Sequence, residues 1–404
     1  MEIKTLTFFS NYYNHHQKAL CDEWAALLGP GFTFVETEPI EGFRSTMGWG
    51  NEDVPPYVLR TYLNEKSYNR ALKLGTASDV VVMGTAPEVF IEERLKLNRI
   101  TFRYSERPLK EGFIKFFIPR LTKKYLHLHV RNRHRNIYVL AASAYTAWDF
   151  RKMFNSYPDK CYKFGYFPEH KEYDVKKLMD RKRILADREI GDPEMPTILW
   201  EGRMLKLKRP DLLVKACAVL RDKGYKFRVL FVGEGNERKN VEMLVNMYHL
   251  SDRVFFMDFL PPDEAREKMA DAKIYVMTSN FLEGWGSVIY EALNAGCATV
   301  VSHAPGATPW LVKDGVTGLV FENGSVESLT GKLEKLLNDP QLCTKLGSNA
   351  YEQMNRLWNP RVAAKNVLTL ADDLAEGRKC SIKEGPCSPA GTLKNNWFKD
   401  TEKG

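Results

Sequence analysis

The sequence predicts an α/β protein built from two doubly wound parallel-sheet domains. Short apolar, β-branched runs alternate with segments of helical periodicity in both halves of the chain, as expected for a parallel sheet covered by helices. The chain has 404 residues, 44% of them hydrophobic, which is enough for two separate cores. The expected strands are residues 6–10, 32–35, 79–83, 100–104 and 137–140 in the first half, and 197–200, 227–232, 254–257, 273–278, 298–301 and 319–321 in the second.

Polar loops follow the expected strands of the first half. Residues 11–17 form one such loop, before a helix that ends at Gly29-Pro30-Gly31. Ligands bind at the carboxyl ends of the strands in doubly wound sheets, so these loops are candidate contacts to an acceptor or a donor. The candidate residues are Asn14, His15, His16, Ser105 and Glu106. Adjacent histidines point to different sides of the backbone, so we expect at most one of the two to face a ligand; solvation or helix capping is the alternative.

A glycine-rich turn followed by a helix stands in the second half. Gly284 and Gly286 follow the strand expected at 273–278, and apolar residues then recur at helical spacing over 287–296. Such a helix start leaves backbone N–H groups available to an anion such as a diphosphate. Glu283 and Glu291 would accept hydrogen bonds from hydroxyl groups, so the stretch indicates a nucleotide sugar. The alternative is an ordinary turn with two solvated glutamates.

The residues Glu283-Gly284-Trp285-Gly286 with Glu291 resemble the E-x7-E signature of glycosyltransferase family 4, which comprises retaining enzymes of the GT-B fold. The resemblance covers about residues 197–360 and includes Gly202-Arg203 followed by Lys208, the loop 232–236 and the segment 314–320. Several motifs in the same order make a specific signal, whereas each one alone is weak. The resemblance implies two Rossmann-like domains that face each other across a cleft.

The family scheme assigns each domain a function. It implies an N-terminal acceptor-binding domain over 1–168, a linker over 169–195 and a C-terminal nucleotide-sugar-binding domain over 196–360. A terminal helix over 361–378 then crosses back to the first domain. The stretch 379–404 is rich in Gly, Pro, Ser and Lys, and we expect a flexible tail there.

The resemblance also implies residue roles. Arg203, Lys208 and Glu283 are the expected catalytic residues. A guanidinium and an ammonium group suit the phosphates of a leaving nucleoside diphosphate, although only the family pattern distinguishes Lys208 from its basic neighbours Lys206 and Arg209. The expected donor-binding residues are Gly233, Gly235, Gly284, Trp285, Gly286, Ser287 and Glu291, with Glu283 on the sugar hydroxyls and Glu291 on the ribose.

The family mechanism requires no protein nucleophile. The acceptor hydroxyl attacks the anomeric carbon from the face of the leaving group, and the departing phosphate oxygen takes the proton. Arg203, Lys208 and the helix start at Gly286 and Ser287 would stabilise the charge that develops on the diphosphate. The nucleotide sugar is a substrate and the sequence contains no Asp-x-Asp, so we expect neither a cofactor nor a metal.

Two departures from the family pattern concern the sugar contacts. Family members commonly have a histidine after the strand that corresponds to residues 100–104, where this chain has Ser105-Glu106-Arg107. Glu106 or His16 would take over that contact. The segment 306–310 keeps the outline of a loop that usually contains Gly-Gly-x-Pro-Glu, but Ala307 and Trp310 differ. Trp310 adds a flat aromatic surface that either alters sugar selection or packs.

A basic segment without acidic residues spans residues 113–135. Aromatic and aliphatic side chains interleave with its cations at spacings of three and four, which predicts a helix with one apolar and one cationic face on an anionic membrane. A core-packed helix and a single-stranded nucleic-acid site are the alternatives. The cations are Lys115, Arg120, Lys123, Lys124, Arg131, Arg133 and Arg135, joined by His127, His129 and His134.

These observations predict a retaining glycosyltransferase that uses a UDP- or GDP-linked sugar and a hydroxyl acceptor. The expected acceptor is a lipid-linked or polysaccharide intermediate of capsule, O-antigen or exopolysaccharide synthesis, and no nucleic-acid partner is expected. A nucleotide-sugar epimerase of similar fold and a non-catalytic subunit that binds membrane or polysaccharide stay open. The chain begins without a signal-peptide pattern and its seven cysteines lack Cys-x-x-Cys spacing, so we expect a cytoplasmic protein, peripheral at the inner membrane face.

Overall fold

The computed structural model describes residues 2–40, 54–185 and 195–401, except for the side chains of 115, 116, 183–185, 400 and 401. The chain divides into two compact units. Unit 1 comprises Met1–Glu169 and Leu357–Lys394, and unit 2 comprises His170–Arg356 and Asn395–Gly404. We expected the first domain to end at residue 168 and a linker to follow. The structure divides the chain after Glu169 and assigns the stretch that follows to unit 2.

Unit 1 contains a parallel sheet with seven strands in its described part, in the order β3-β2-β1-β4-β5-β6-β7. Its strands are β1 Leu6–Ser10, β2 Phe32–Glu36, β3 Val58–Arg60, β4 Val80–Met83, β5 Thr101–Ser105, β6 Ile137–Ala141 and β7 Cys161–Lys163. Its longer helices are α1 His15–Leu28, α2 Glu65–Ala77, α3 Glu92–Lys96, α4 Pro119–Tyr125 and α5 Thr146–Lys152. The α/β fold class is confirmed, and two edge strands, β3 and β7, are added to those we predicted.

Helix α1 begins earlier than the sequence suggested. Asn14 is its N-cap, and the Oδ1 atom of Asn14 accepts a hydrogen bond from the His16 backbone N–H at 3.0 Å. His15 and His16 therefore occupy the first helical turn instead of the preceding loop. Their rings lie 3.9 Å apart.

Unit 2 contains a parallel sheet with six strands in its described part, in the order β10-β9-β8-β11-β12-β13. These are β8 Thr197–Glu201, β9 Arg228–Val232, β10 Val254–Met257, β11 Ile274–Met277, β12 Ala298–Ser302 and β13 Leu319–Phe321. The helices are α6 Val175–Leu185, α7 Pro210–Asp222, α8 Arg238–Met247, α9 Pro262–Asp271, α10 Ser287–Asn294, α11 Thr308–Leu311, α12 Val326–Asn338 and α13 Pro340–Arg356. Strands β8 and β11 are neighbours, so the direction of winding reverses between them. A ligand site is expected outside the carboxyl ends of strands at such a reversal.

The C-terminal part of the chain contributes to both units. Helix α14 Pro360–Ala375 belongs to unit 1, where the Trp24 indole N–H donates to the Ala364 carbonyl at 3.2 Å. The helix α15 Trp397–Thr401 belongs to unit 2.

Part of the expected flexible tail is packed. Cys387 and Ser388 are buried, and the backbone N–H of Lys163 donates to the Ser388 carbonyl at 2.8 Å. The Ala390 N–H also donates to the Cys161 carbonyl at 2.9 Å. Strand β7 is an edge strand, whose unpaired backbone groups can bind a further extended segment. Composition alone did not reveal this pairing.

Candidate functional site

Lys208 and Glu283 lie together at the edge of the unit 2 sheet. The Lys208 Nζ atom is 2.5 Å from the Glu283 Oε2 atom, and each side chain is 14% exposed. Lys208 ends the short 3-10 helix Lys206–Lys208 that follows β8, whereas Glu283 follows β11. The strand reversal thus brings together two predicted catalytic residues that are 75 positions apart in the sequence. Arg203, the third, is exposed in the loop between β8 and this 3-10 helix.

Backbone hydrogen bonds fix the two loops relative to each other. The Thr278 hydroxyl donates to the Lys208 carbonyl at 2.7 Å, and the Asn280 N–H donates to the Leu207 carbonyl at 2.9 Å. The Asn280 carbonyl in turn accepts from the Glu283 N–H at 3.0 Å. The contact between Lys208 and Glu283 is therefore held by the backbone as well as by charge, which is the preorganisation that an electrostatic site requires.

The turn before α10 leaves its helix start available. Gly286 is the N-cap with φ of 92°, a left-handed conformation that favours glycine, and no described side chain caps the helix. Gly284 is buried and Ser287 is half-buried. The first N–H groups of α10, beside the Lys208 and Glu283 pair, suit an anion.

The close packing of two loops explains why positions 233 and 235 are glycines. A Cβ atom at Gly233 would lie 2.3 Å from the Gly202 carbonyl oxygen, and one at Gly235 would lie 2.4 Å from the Met204 carbonyl oxygen. These two glycines let the loop after β9 approach the loop after β8. Their predicted contact with the donor stays a prediction.

Glu291 belongs to a cluster of charges that the sequence did not reveal. Arg266 on α9 lies 3.6 Å from Glu291, measured from its Nη1 atom to Oε1, and pairs with Asp263 at 2.5 Å. Burial, together with the nearby Glu291 carboxylate, raises the pKa of Glu201 to about 8. The Glu201 Oε2 atom is buried and accepts no hydrogen bond from the described residues. Glu201 ends β8, so its position after a strand was a signal that could have identified it; Arg266 offered none.

Two tryptophans pack beside the glycine turn. Trp285 is buried, and its ring centroid lies 6.0 Å from that of Trp310. The Trp285 carbonyl accepts from the Ala307 N–H at 3.0 Å, which joins the loop after β11 to the loop after β12. The buried Trp285 Nε1–H has no hydrogen-bond acceptor among the described residues. Ala307 and Trp310, the two residues that depart from the family loop, therefore lie beside the predicted donor-binding turn.

The candidate residues of unit 1 are largely engaged with their neighbours. The Tyr166 hydroxyl donates to the Glu106 Oε1 atom at 3.0 Å, and Lys110 pairs with Oε2 of the same carboxylate at 3.0 Å. The Ser105 hydroxyl donates to the Glu106 carbonyl at 2.7 Å. The His16 ring lies 6.3 Å from the Tyr166 ring, so His16 and Glu106 share this neighbour.

The predicted amphipathic helix over 113–135 is wrong as a continuous element. A 3-10 segment Phe113–Phe117 is followed by α4 and by a π turn Leu126–Val130. Pro119 has no backbone N–H, and Ile118 before it has the extended backbone that a following proline favours. Among the described residues, every helix is too short or too polar to cross a lipid bilayer.

Apolar and cationic side chains are nevertheless exposed together in this segment. Ile114 is 74% exposed and Phe117 is 75% exposed. The exposed cations are Arg120, Lys123, Lys124, Arg131 and Arg133. Arg135 is half-buried and donates to the Leu95 carbonyl, and Lys115 lies outside the described side chains.

His129 is not part of this exposed surface. Its Nδ1 atom lies 2.9 Å from the Tyr157 hydroxyl. Burial, with the nearby Arg103 and Lys124 charges, lowers the pKa of His129 to about 3. His129 is therefore neutral at physiological pH, whereas His127 and His134 are exposed.

Comparison with known proteins finds a family match within unit 2. Residues 183–353 match the model of the family described as glycosyl transferases group 1. The match confirms the resemblance at the level of the group, and assignment to family 4 stays a prediction. The group 1 segment contains Lys208, Glu283 and Glu291.

Individual relatives match less than half of the chain. An alpha-D-kanosaminyltransferase from Streptomyces kanamyceticus is 27% identical over 197 residues, which is 49% of this chain and 48% of the relative. The lipopolysaccharide core biosynthesis glycosyltransferase LpsE from Rhizobium meliloti is 28% identical over 161 residues, which is 40% of this chain and 45% of the relative. The chain thus spans about half the length of these relatives.

The fold extends beyond the group 1 segment. The structure of Anabaena Alr3699/HepE in complex with UDP covers 92% of this chain and 100% of its own, with a TM-score of 0.69 and 17% identity. At this identity the likeness shows the fold, which is the two-domain GT-B fold that we predicted.

Proposed function

We propose that the protein is a retaining glycosyltransferase that transfers a sugar from a nucleotide sugar to a hydroxyl acceptor. The observation that carries the proposal is the contact between Lys208 and Glu283 at the strand reversal of a group 1 domain. A cation suits the diphosphate and a carboxylate suits the sugar hydroxyls, and the two side chains neutralise each other while no donor is bound. Donor binding would separate them, because each then gains a ligand partner.

Arg203, Lys208 and the start of α10 would stabilise the leaving diphosphate. One preorganised charge contact of this kind contributes roughly 3 kcal/mol to the transition state. The acceptor hydroxyl attacks from the face of the leaving group, and the phosphate oxygen accepts its proton. Because these protein groups would supply the positive charge that stabilises the leaving group, we expect transfer without a divalent metal.

The donor is proposed to be UDP-linked, with a GDP-linked sugar as the second choice. The Anabaena structure that shares the fold contains UDP, and a further structure of that protein contains UDP-glucose. Glu291 would hold the ribose, and Glu201 beside it is protonated at neutral pH and can donate a hydrogen bond.

The acceptor is proposed to be a lipid-linked or polysaccharide intermediate of a cell-surface glycan. The match to a lipopolysaccharide core enzyme supports this class. The exposed apolar and cationic side chains of residues 113–135 support attachment to the inner face of a membrane, where a lipid-linked acceptor would be presented.

Binding and turnover with a panel of nucleotide sugars test the proposal. A donor at one hundred times its dissociation constant stabilises the folded protein by about 2.7 kcal/mol, which a thermal shift detects. Donors that bind are then incubated with and without EDTA, and the products are examined by NMR. Transfer or slow hydrolysis with retention at the anomeric carbon supports the proposal. Epimerisation of the donor, an inverted product, loss of activity in EDTA that Mg²⁺ restores, or no binding at all contradicts it.

A further inference from the structure

The last described residues pack against one buried histidine of unit 2. His303 follows β12, and its ring is stacked on Phe398 with centroids 5.1 Å apart and an interplanar angle of 11°. Trp397 contacts the same ring edge-on at 6.0 Å. Lys399 pairs with Glu322 at 3.2 Å, which fixes the segment beside β13 as well. We call residues 395–399 the C-terminal clasp.

A hydrogen bond orients the His303 ring. Its Nδ1 atom accepts from the Asn323 N–H at 2.9 Å. Burial lowers the pKa of His303, which favours the neutral ring that can accept at Nδ1. The clasp contributes to the ring's position through the aromatic contacts of Trp397 and Phe398.

A further neighbour of His303 is Phe281, in the loop between β11 and α10 that contains Glu283. The Phe281 ring lies 5.4 Å from the His303 ring in an edge-on arrangement. Phe281 stands inside the turn that Asn280 makes with Leu282 and Glu283: Asn280 Oδ1 accepts from the Leu282 N–H at 2.9 Å, and the Asn280 carbonyl accepts from the Glu283 N–H at 3.0 Å. A change in the position of Phe281 would therefore move the backbone of Glu283.

We propose that the C-terminal clasp and His303 are positioning elements for the donor sugar. The clasp contacts His303, His303 contacts Phe281, and Phe281 holds the turn that directs Glu283. Trp397, Phe398 and His303 are positioning residues, since none of them is assigned a contact with the donor. The inference rests on the proposed function of Glu283 as the sugar-binding carboxylate.

A purely structural clasp would behave differently. If Trp397 and Phe398 only covered an apolar surface, their removal would lower the unfolding temperature and leave the relative affinities for nucleotide and nucleotide sugar unchanged. If they position Glu283, their removal weakens the contact with the sugar and spares the nucleotide. Lys208 and Arg203 belong to the loop after β8, which is bonded to Thr278 and Asn280 before Phe281 in the chain, so they keep the diphosphate contact.

The test uses Trp397→Ala/Phe398→Ala in the full chain, with Phe154→Ala, an exposed phenylalanine of unit 1, as the matched control. Hydrogen exchange is followed in peptides that contain Leu282 and Glu283, and dissociation constants are measured for UDP and UDP-glucose. We expect faster exchange at these two amides, a UDP affinity within about twofold of wild type, and a roughly tenfold loss of the advantage of UDP-glucose over UDP. The control should change none of these. Unchanged exchange in the double variant overturns the proposal, as does an equal loss of affinity for both ligands.

His303→Phe provides a second variant if the double variant does not fold. It keeps an aromatic ring in the stack and loses the hydrogen bond from Asn323, so we expect a smaller change of the same sign in both measurements. A wild-type affinity ratio and wild-type exchange in this variant would count against the proposal. The wild-type chain separates the two hypotheses: if it binds neither UDP-glucose nor any other donor, the proposed function fails, whereas the exchange measurement still decides whether the clasp holds the turn.

Discussion

The two units share a parallel sheet architecture, but the glutamates that end one strand in each, Glu36 of β2 and Glu201 of β8, differ in how their carboxyl oxygens are used. In unit 1, Glu36 at the end of β2 accepts from the Tyr13 N–H at 3.0 Å and from the Tyr62 hydroxyl at 2.9 Å, and it pairs with Arg60 at 2.7 Å. These bonds occupy both carboxylate oxygens, so Glu36 serves the fold.

In unit 2, the corresponding groups keep capacity for a ligand. Glu201 Oε2 and Trp285 Nε1 are buried without a hydrogen-bond partner among the described residues, and Lys208 and Glu283 contact only as an opposite-charge pair. Buried polar atoms of this kind are costly unless a ligand or water satisfies them. These groups fit our proposal that unit 2 binds the donor, and unit 2 also contains the match to the group 1 family.

The largest expected effect concerns unit 1 and its exposed cations. Lys123, Lys124, Arg131 and Arg133 changed together to Gln should abolish pelleting with anionic vesicles. Each basic residue near an anionic surface contributes roughly 1 kcal/mol, so four could account for a change of about a thousandfold at low salt. Salt should weaken wild-type binding in the same assay, because it screens the attraction.

The control for this variant removes four exposed cations elsewhere in unit 1: Lys66, Arg70, Lys73 and Lys365 changed to Gln. It makes the same change in net charge and should leave pelleting near wild type. Equal pelleting of the two variants would show that the segment 113–135 is not a membrane surface.

Lys208→Ala tests the donor site of unit 2. Loss of the contact with the leaving diphosphate should lower kcat about a hundredfold, which corresponds to roughly 3 kcal/mol of transition-state stabilisation. Lys206→Ala is the matched control, since Lys206 is an exposed lysine of the same 3-10 helix. Steady-state transfer at saturating donor is the measurement. If the two alanine variants had the same rate, Lys208 would not be the phosphate contact.

Glu283→Gln separates the sugar from the nucleotide. The amide keeps the shape of the side chain but loses the charge that pairs with Lys208, so the sugar hydroxyls lose a charged acceptor. We expect kcat/KM for transfer to fall by roughly tenfold, or about 1.4 kcal/mol, while the affinity for UDP stays the same or rises. Calorimetry with UDP and with UDP-glucose measures the two effects. A loss of UDP affinity as large as the loss of transfer would place Glu283 on the nucleotide instead.

Elements with a local sequence pattern were the ones that the sequence could predict. The central strands were predictable because both faces of a parallel sheet are covered, which produces continuous apolar runs such as residues 79–83. The three-residue strands Val58–Arg60 and Cys161–Lys163 were missed because they are too short to show a pattern. The E-x7-E spacing identified Glu283 and Glu291 because a turn and a helix place them locally.

Residues that depend on packing between distant elements were not predictable. His129 stands among cations in the sequence, yet it lies against Tyr157 and is uncharged, and only the fold determines which histidines of that segment are buried. Arg266 reaches Glu291 because α9 and α10 are neighbours, and no local spacing encodes that contact. The clasp was hidden for the same reason, since Phe398 and His303 are 95 positions apart.

The last expected effect is a change in pH dependence at Glu201. Its pKa is raised to about 8 in the folded protein from an ordinary value of 4.5. Between these values the folded state retains a proton that the unfolded state has lost, so the free energy of unfolding falls as the pH rises from about 4.5 to about 8. Glu291, Arg266, Tyr275 and Cys297 are the titratable or charged groups whose charges interact with this carboxyl group.

Glu201→Gln imitates the protonated carboxyl group, so its unfolding free energy should decrease less than that of wild type between pH 5 and pH 8. Denaturant unfolding at several pH values gives the difference, in which the titration of all other groups largely cancels. Glu264→Gln is the control, because Glu264 is an exposed carboxylate on α9.

Nucleotide affinity adds a second measurement. UDP binding to wild type should weaken above pH 8, where Glu201 ionises beside Glu291, and UDP binding to Glu201→Gln should not. If the unfolding free energies of wild type and this variant changed in parallel with pH, Glu201 would be ionised throughout. The protonated carboxyl group that we propose as a hydrogen-bond donor at the ribose site would then be absent.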